Sequence, residues 1–542
     1  MARAARPRGS REYTGSPRHA PAPDYNARMT TEALDLLRQP LYRADGLREL
    51  EALAIAHARG DADAPSLMER AGAAAARVAE QMLGVTGGRI RVHAGPGNNG
   101  GDALVAARRL RERFHAVDVV LHADPARLPA DAAAALAAWT ATGGTCVGDT
   151  GGLAPPRLVI DGLFGIGLRR PLVGEHARAV GLIERAGAPI LSLDVPSGLD
   201  ADTGQVLGCA VHATRTLTFL AGKPGLYTAL GPDHAGTVDV DPLEVAAVEL
   251  REPDGWRIAP GRLDRLLPPR ARSAHKGDAG SVGVLGGAPG MVGAALLAGR
   301  AALLCGAGRV SLGLVDERGP AVDPLQPELM LRAWHELPRL AHLDVLAAGP
   351  GLGDLPESYV ALEWALGARL PLVLDADALN LVAAHPSLAE AVARRPAPTL
   401  VTPHPAEAAR LLGVDTREVQ SDRVAAAEAL ARRLRCGVVL KGAGSITLPA
   451  DSARWSVHAA GNPGMASAGM GDALTGILAA LLAQGLPADR ALEAGVCLHA
   501  SAGDAASAAL GAAGGLRGLT ASELALAARA LLAGTAVRPA LR

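Results

Sequence analysis

Residues 89–104, RIRVHAGPGNNGGDAL, decide the fold class of the first half of this chain. A short strand-forming run, 89–94, leads into a glycine-rich turn and then into a segment of helical period. The backbone amides of glycines can approach an anion closely, and the N-terminus of a helix adds a favourable partial charge for phosphate. No Gly-Lys-Ser/Thr follows, so the turn is not a P-loop. The stretch predicts an α/β unit with an anion-binding loop.

The same alternation of elements continues on both sides of this stretch. The apolar periodicity of residues 66–83 predicts a helix that Ser66 caps and whose capping box Glu69 completes. Further strands are predicted at 117–122, 157–161 and 189–195. Strands that alternate with helices form a parallel sheet covered on both faces, and ligands bind at the carboxyl ends of its strands.

A second alternating region begins near residue 281. Its predicted strands lie in the runs 281–287, 310–315, 344–351, 371–380, 399–405 and 437–445. Three helices rich in alanine and leucine follow from about residue 472. This region is predicted to be a second α/β domain.

The length of 542 residues exceeds what one core usually organises, so two domains are expected. We predict domains at 41–250 and 251–542, with a connector at 246–270. Residues 1–40 carry arginine, proline and small polar residues without apolar periodicity, and we leave them out of the fold. They are interpreted as a disordered tail or as the result of a start codon assigned too early, since Met29 is available; an arginine-rich transit peptide is the alternative.

Composition argues against several classes of protein. The 54 basic and 55 acidic residues nearly cancel, and aromatic residues make up only 2%, which disfavours nucleic-acid binding. No apolar run reaches the ~20 residues that span a bilayer. The five cysteines are isolated, which fits a reducing compartment better than a disulfide scaffold. We expect a cytoplasmic homo-oligomer that binds neither nucleic acid nor membrane.

Lysine is rare in this chain. Of the 54 basic residues only three are lysines, namely Lys223, Lys276 and Lys441, and each lies in a glycine-rich turn. The excess of arginine over lysine indicates a GC-rich coding bias. Either this bias spared the three lysines by chance, or their positions require the compact ammonium group, because lysine and arginine are not interchangeable.

Two more predicted strand ends carry polar side chains at the sheet edge of the first glycine-rich loop. The run DGLFGIGLRRP (161–171) begins with Asp161, and LDVPSG (193–198) contains Asp194 and Ser197. Carboxylates at such ends can bind a ribose, hold a cation or act as a base, although they also cap helices and turns. Three such loops on one edge favour a functional site.

These motifs, with LDVPSGLDADTG and GKPGL, resemble the NAD(P)H-hydrate epimerase domain over roughly residues 45–240. The resemblance implies a Rossmann-like three-layer α/β/α sandwich. It implies a potassium ion held by Asn99, Asp161 and Ser197, whose oxygens suit such a cation. The implied substrate contacts are Asn98, Asn99, Gly100, Gly101, Asp102, Gly165, Ile166, Gly167, Leu168, Arg169, Arg170, Pro171 and Asp194. Asp161 and Asp194 are both candidates for the catalytic proton transfer, and the sequence does not decide between them.

The strongest motif of the second half is NPGMASAGMGDALTGILAAL at 462–481. A glycine-rich turn opens a helix whose first turn contains Asp472. Amides at that terminus can stabilise a transferring phosphoryl group, and the carboxylate can take a proton from an attacking hydroxyl. An acidic residue in the first turn of a helix is also favourable electrostatically without any catalytic role. Whether Asp472 is catalytic is therefore decided by the other motifs of this half.

The ordered motifs HKGDAG, GAPGMVGAALLA, AAGPGLG, DADALN, TPHPAE, KGAGS and GMGD resemble ADP-dependent NAD(P)H-hydrate dehydratase over about 260–535. The resemblance implies a ribokinase-like α/β/α fold that uses ADP with magnesium. The implied ADP contacts are Lys441, Gly442, Ala443, Gly444, Ser445 and Gly471. The implied contacts to the hydrate are Ala294, Gly351, His404 and Asp472, with Asp472 as the catalytic base. Met470 and Ala406 stand where members of this family often have a smaller polar residue or glycine, and neither supplies chemistry.

Together the two halves resemble the bifunctional repair enzymes of hydrated nicotinamide cofactors. The resemblance implies an isomerase that interconverts the R and S forms of NADHX and NADPHX, and a lyase that dehydrates the S form with ADP. Two alternatives stay open. A vitamin-precursor kinase of the ribokinase type shares GMGD but leaves residues 45–240 unexplained. A catalytically silent nucleotide-binding protein conflicts with the intact Asp161, Asp194 and Asp472.

Overall fold

The computed structural model describes residues 37–58, 65–148, 150–259, 261, 263–267, 269–511, 517–535 and 537. The strands are β1 Arg38–Leu41, β2 Ile90–Ala94, β3 Val117–Leu121, β4 Cys146–Val147, β5 Leu158–Gly162, β6 Ile190–Leu193, β7 Arg215–Phe219, β8 Thr237–Asp241, β9 Gly255–Ile258, β10 Ser281–Gly286, β11 Arg309–Leu314, β12 Met330–Ala333, β13 Val345–Ala348, β14 Leu372–Leu374, β15 Thr399–Val401, β16 Gly437–Leu440, β17 Ser445–Leu448 and β18 Trp455–His458.

The α-helices alternate with these strands through most of the chain. They are α1 Ala44–Ala58, α2 Leu67–Leu83, α3 Asn98–Glu112, α4 Ala130–Ala141, α5 Gly174–Glu184, α6 Gly231–Ala235, α7 Ala247–Leu250, α8 Val292–Leu304, α9 Pro356–Gly367, α10 Ala376–Ala384, α11 Pro386–Ala393, α12 Pro405–Leu412, α13 Thr416–Ser421, α14 Arg423–Leu434, α15 Met470–Ala483, α16 Ala488–Ala509 and α17 Ala521–Leu532. The α/β class is confirmed, as are the three helices that close the chain.

The first sheet has seven parallel strands in the order β4-β3-β2-β5-β6-β7-β8. Successive side chains of a strand point to opposite faces. Leu158 and Ile160 accordingly pack into one apolar cluster with helices α2 and α3, whereas Val159 packs with α5 on the other face. Helices therefore cover both faces, as predicted, and leave the carboxyl edge of the strands open for a site.

The second sheet has eleven strands in the order β1-β9-β18-β17-β16-β15-β14-β13-β10-β11-β12. Its parallel part runs from β16 to β12, and its other end contains the antiparallel pairs β16–β17, β17–β18 and β1–β9. Val345 and Ala347 pack toward one cluster with α8 and α15, and Leu346 and Ala348 pack toward the other. This sheet is likewise buried on both faces.

The first strand of the chain belongs to the second sheet. Arg38–Leu41 pairs antiparallel with Gly255–Ile258, a strand within the predicted connector. The buried Glu493 of α16 accepts a hydrogen bond from Arg38 at 2.6 Å and another from Ser456. The expected tail 1–40 is therefore wrong for its last residues, because they complete an edge of the second sheet; residues 1–36 lie outside the described residues.

The two halves of the chain share one apolar cluster. Leu41, Leu199, Leu226 and Tyr227 from the first half belong to the same buried cluster as Leu440, together with many residues of the second sheet. The strands of the second half were predicted, whereas the continuity of this cluster across the two halves was not.

The predicted helix start at Ser66 is confirmed in part. The Ser66 hydroxyl accepts a hydrogen bond from the amide of Glu69. The expected second half of a capping box is wrong, because the Glu69 carboxylate binds Arg108 and Arg109 of α3 instead, at 2.6 and 2.8 Å. The carboxylate thus ties two helices together.

Candidate functional site

A cavity of about 570 Å³ opens at the carboxyl edge of the first sheet. The loops after β2, β5 and β6 line it, and so does α1. The lining residues are Leu47, Arg48, Glu51, Pro96, Gly97, Asn98, Asn99, Asp102, Pro129, Leu163, Phe164, Gly165, Ile166, Gly167, Leu168, Asp194, Phe219 and Lys223. The three loops singled out in the sequence therefore meet at one site.

An ion pair between Asp194 and Lys223 forms the polar centre of this cavity. The Lys223 ammonium lies 2.6 Å from Asp194 Oδ1, and it also donates to Thr218 and to the carbonyl of Phe219. Only 1% of the lysine side chain is exposed, although it borders the cavity. The second carboxylate oxygen of Asp194 accepts a hydrogen bond from the amide of Ile166 at 3.1 Å.

The conformation of Asp194 is unusual for its residue type. Its φ is +66°, in the left-handed region that costs non-glycine residues free energy. A side chain at Gly165 would place a Cβ 2.5 Å from Asp194 Oδ2, so glycine permits the close approach of that loop. The backbone thus holds the carboxylate at the mouth of the cavity.

Two further carboxyl groups border the same cavity. Burial raises the pKa of Asp102 well above its usual range, and the nearby carboxylates of Asp194 and Glu51 raise it further. Burial likewise raises the pKa of Glu51, with a further contribution from Asp194. Carboxyl groups whose pKa values are perturbed by burial and by neighbouring charges are typical of functional sites.

Asp161 lies behind the cavity wall. It is fully buried and accepts hydrogen bonds from the hydroxyls of Ser192 and Ser197, at 2.8 and 2.6 Å, and from the amide of Ser197. Burial raises the pKa of Asp161, and these hydrogen bonds oppose the rise. Asp161 does not line the cavity, whereas Asp194 does. The geometry thus separates two carboxylates that the sequence left equivalent.

Asn99 supplies an unused polar group at this site. Its side chain is 9% exposed, and neither its oxygen nor its nitrogen has a hydrogen-bond partner among the described residues. The set of an amide oxygen, a carboxylate and a hydroxyl from Asn99, Asp161 and Ser197 consists of the hard ligands that a potassium ion prefers. By the chemical type of their oxygens the three residues fit such an ion, and Asn99 is the one whose side-chain oxygen has no partner in the described part of the chain.

The other predicted substrate residues of the first half divide into two groups. Asn98, Asp102 and Gly165 to Leu168 line the cavity. Gly100, Gly101, Arg169, Arg170 and Pro171 do not, and Arg169 instead pairs with Asp45 at 2.8 Å on the surface. Sequence reasoning missed Leu47, Arg48 and Glu51. Their spacing on one helical face was readable, but no local motif connected α1 with the strand-end loops.

A second polar site lies at the carboxyl edge of the second sheet, where α15 begins. Gly469 precedes the helix with a φ of +87°, and Asp472 lies in the first turn. Burial raises the pKa of Asp472 to about 7, and Asp375 adds to the rise while Lys441 opposes it. A carboxyl group that titrates near neutral pH is well matched to accept a proton.

Lys441 and Asp375 connect the loops of this second site. The Lys441 ammonium lies 2.6 Å from Asp375 Oδ1 and 3.9 Å from Glu407 Oε2. The other oxygen of Asp375 accepts a hydrogen bond from Thr475 at 2.9 Å. A Cβ at Gly471 would lie 3.1 Å from the ammonium nitrogen, which brings KGAGS and GMGD into contact. Burial alone would lower the pKa of Lys441, but the two carboxylates raise it.

The remaining predicted residues lie on the loops around this pair. His404 caps α12 by accepting hydrogen bonds from the amides of Ala406 and Glu407, and burial lowers its pKa. Gly351 has a φ of +59°, and a Cβ there would lie 3.2 Å from that of Ala294. Gly442 and Gly444 also have positive φ, and Ser445 donates to the carbonyl of Gly442. Asp375 was missed as a site residue, although its motif DADALN was recognised.

Within the described ranges, no group of three or more histidine, cysteine, aspartate or glutamate side chains is arranged to hold a metal ion. No helix in that part of the chain is long and apolar enough to cross a bilayer.

Comparison with known proteins gives the family. The profile of the YjeF-related protein N-terminus matches residues 64–225, and that of NAD(P)H-hydrate dehydratase matches 282–524. The chain is 40% identical to a bifunctional NAD(P)H-hydrate repair enzyme of Coxiella burnetii, over 89% of this chain and 97% of that one. This chain belongs to the bifunctional NAD(P)H-hydrate repair enzymes. The repair enzyme of Escherichia coli is 37% identical over 84% of this chain and 87% of its own.

The two profile matches divide this member of the repair family as its two sites do. Apart from α1, the residues around the first cavity lie within the first match, and Asp375, Lys441 and Asp472 lie within the second. Among solved structures, an ADP/ATP-dependent NAD(P)H-hydrate dehydratase of Bacillus subtilis, co-crystallised with ATP and magnesium, is 28% identical. The similarity covers 50% of this chain and 95% of that one, with a TM-score of 0.42.

Proposed function

We propose that the first domain interconverts the R and S epimers of NADHX and NADPHX, and that the second dehydrates the S epimer. The dehydration consumes ADP and releases AMP and phosphate. The observation that carries this proposal is the pair of separate carboxylate sites, one at the carboxyl edge of each sheet, in a chain of this family. We propose domains at 41–250 and 251–542, except that the strand Arg38–Leu41, including Leu41, belongs to the sheet of the second.

In the second domain, Asp472 is the proposed general base. The hydroxyl oxygen of the hydrate bonds to the β-phosphorus of ADP, its proton passes to Asp472, and AMP leaves. Phosphate then departs with the electron pair of the carbon–oxygen bond, while the neighbouring carbon loses a proton, so that the ring double bond is restored. Phosphate is a far better leaving group than hydroxide, which explains the use of a nucleotide.

The nucleotide is proposed to bind at Lys441 to Ser445 and at Gly471. The Lys441 ammonium contacts the GMGD turn, and the N-terminus of α15 adds amides that favour phosphate. Asp375 and Glu407 hold this ammonium in place and charged. Ala294, Gly351 and His404 are proposed to contact the hydrate. Magnesium bound with ADP would neutralise charge on the phosphates.

In the first domain, Asp194 is proposed to carry the proton of epimerisation. It lines the cavity and is paired with a buried ammonium, whereas Asp161 lies behind the wall, where it accepts hydrogen bonds from Ser192 and Ser197. We propose that Asn99, Asp161 and Ser197 bind a potassium ion, because the side-chain oxygen of Asn99 has no hydrogen-bond partner among the described residues and is a ligand of the right kind. That ion would supply positive charge beside the substrate site.

An assay of the purified full chain with mixed epimers tests this proposal. With ADP, both epimers should disappear and reduced cofactor should accumulate together with AMP, as followed by chromatography. Without ADP, the epimers should interconvert and persist. If no epimer is consumed with either ADP or ATP, the proposed dehydration is refuted. If a vitamin precursor is phosphorylated instead, the kinase alternative holds.

A further inference from the structure

The loop proposed to bind ADP is held from both domains. Gly444 packs on the first domain so closely that a Cβ there would lie 1.9 Å from the carbonyl oxygen of Tyr227. The amide of Ala229 donates to the carbonyl of Ala443 at 3.3 Å. Residues 227–229 thus form one wall of the KGAGS loop.

Thr228 is the polar centre of this contact. Its side chain is 1% exposed, and its hydroxyl lies 3.2 Å from the carbonyl oxygen of Ala443 and 3.1 Å from that of Gly444. A hydroxyl has one proton to donate, so the two carbonyls share it. Its lone pair accepts a hydrogen bond from Arg423 Nε at 3.0 Å.

Arg423 begins α14 and is 1% exposed. Besides Thr228, its guanidinium donates to the side-chain oxygen of Gln420 and to the carbonyls of Leu440 and Lys441. Burial lowers the pKa of Arg423 to about 10, so the group stays charged at neutral pH. The planar guanidinium of arginine can donate hydrogen bonds to all of these acceptors at once, which the ammonium group of lysine cannot.

We propose that Arg423 and Thr228 are positioning residues for the ADP site, so that the first domain contributes to nucleotide binding in the second. Thr228 fixes the carbonyls of Ala443 and Gly444, and Arg423 fixes those of Leu440 and Lys441. The loop amides and the Lys441 ammonium are thereby aimed before ADP arrives. Preorganisation of this kind lowers the entropy lost on binding.

Thr228 is also close in sequence to a residue that lines the cavity of the first domain. Lys223, which pairs with Asp194, is five residues before Thr228, and the turn Pro224–Leu226 between them is buried. The segment that begins in the first site therefore ends against the second. The inference rests on the proposed use of ADP, and it adds residues that lie outside both sites.

The test compares Thr228→Val with Thr228→Ser and with a matched control, Thr216→Val. Thr216 is another fully buried threonine, and its hydroxyl donates to the carbonyl of Ala235 within the first domain. Apparent KM for ADP and kcat are measured with saturating S epimer, and the epimerisation rate is measured on the same proteins. Thr228→Val should raise KM for ADP about tenfold, equivalent to about 1.4 kcal/mol, with kcat within about twofold. Thr228→Ser and Thr216→Val should stay close to the unmodified protein.

Arg423→Lys carries the same test from the other partner, and it serves if Thr228→Val does not fold by circular dichroism. Arg423→Lys should also raise the KM for ADP by a larger factor than it changes kcat. Equal KM values in Thr228→Val, Thr216→Val and the unmodified chain would overturn the proposal, as would an effect on kcat alone. Calorimetric titration with ADP distinguishes this failure from failure of the proposed reaction, because binding is measurable without turnover.

Discussion

Replacement of Asp472 by asparagine should separate stability from catalysis in the second domain. The site raises the pKa of this carboxyl from 3.8 to about 7 through burial and the charge of Asp375. Above pH 7 the folded protein therefore holds an unfavourable buried charge. Asparagine has nearly the same volume and removes that charge, so the variant should be more stable and almost inactive.

The sign and size of the effect follow from proton linkage. A carboxyl group whose pKa is higher in the folded state binds more protons there, so the free energy of unfolding falls as the pH rises from about 4 to 7. The shift corresponds to about 4 kcal/mol as an upper bound, and screening by solvent reduces it to about 1–2 kcal/mol. Asp472→Asn should then raise Tm by about 3 °C at pH 8, and by less at pH 5.

The assay combines thermal unfolding at both pH values with single-turnover dehydration. The unmodified enzyme should show a rate that rises with pH through about 7, and the variant a rate lower by about 10²–10⁴ without this rise. Asp489→Asn is the control, since Asp489 is also in the first turn of a helix but is half exposed. Near-normal turnover of Asp472→Asn, or a loss of stability that does not depend on pH, would refute the reasoning.

Three further outcomes are expected. Lys441→Arg should raise the apparent KM for ADP, because the bulkier guanidinium has to fit between Asp375 and Gly471. Lys276→Arg, at an exposed lysine, should leave this KM unchanged. Equal effects of the two substitutions would mean that the position of Lys441 does not require lysine. Asp194→Asn should abolish epimerisation in a chromatographic assay of isolated R epimer and leave ADP-dependent consumption of S intact, and retained epimerisation would exclude Asp194 as the proton carrier. Asn99→Leu should raise the potassium concentration needed for half-maximal epimerisation at least several-fold, and a potassium response identical to that of the unmodified enzyme would remove Asn99 from the ligands.

The strand-end loops were predictable because their chemistry is local. A glycine-rich turn between a strand and a helix, or an aspartate at a strand end, implies its position within a parallel sheet without knowledge of distant residues. Asn98, Asp194 and Asp472 were found in this way. That Asp194 lines the cavity whereas Asp161 lies buried behind it was not readable, since it depends on how each loop folds back.

The features missed in the sequence depend on contacts between distant segments. Arg423 and Thr228 are 195 residues apart, and Arg38 and Glu493 are 455 apart. A buried arginine at the start of an ordinary helix has no sequence signature, and a four-residue strand before the first helix resembles a tail. Helix α1 reaches the first cavity only because the packing of the first domain places it there.

The division of labour between the two sites is tested most directly by a time course on the full chain, with separate R and S epimers and ADP. The full chain is required because a cut at residue 250 would deprive the second domain of the strand β1 and of its hydrogen bonds to Thr228. The unmodified protein should consume both epimers. Asp194→Asn should consume S at the normal rate and leave R to its spontaneous epimerisation, whereas Asp472→Asn should equilibrate R and S without consuming them. Consumption of R as fast as S by Asp194→Asn would contradict the account.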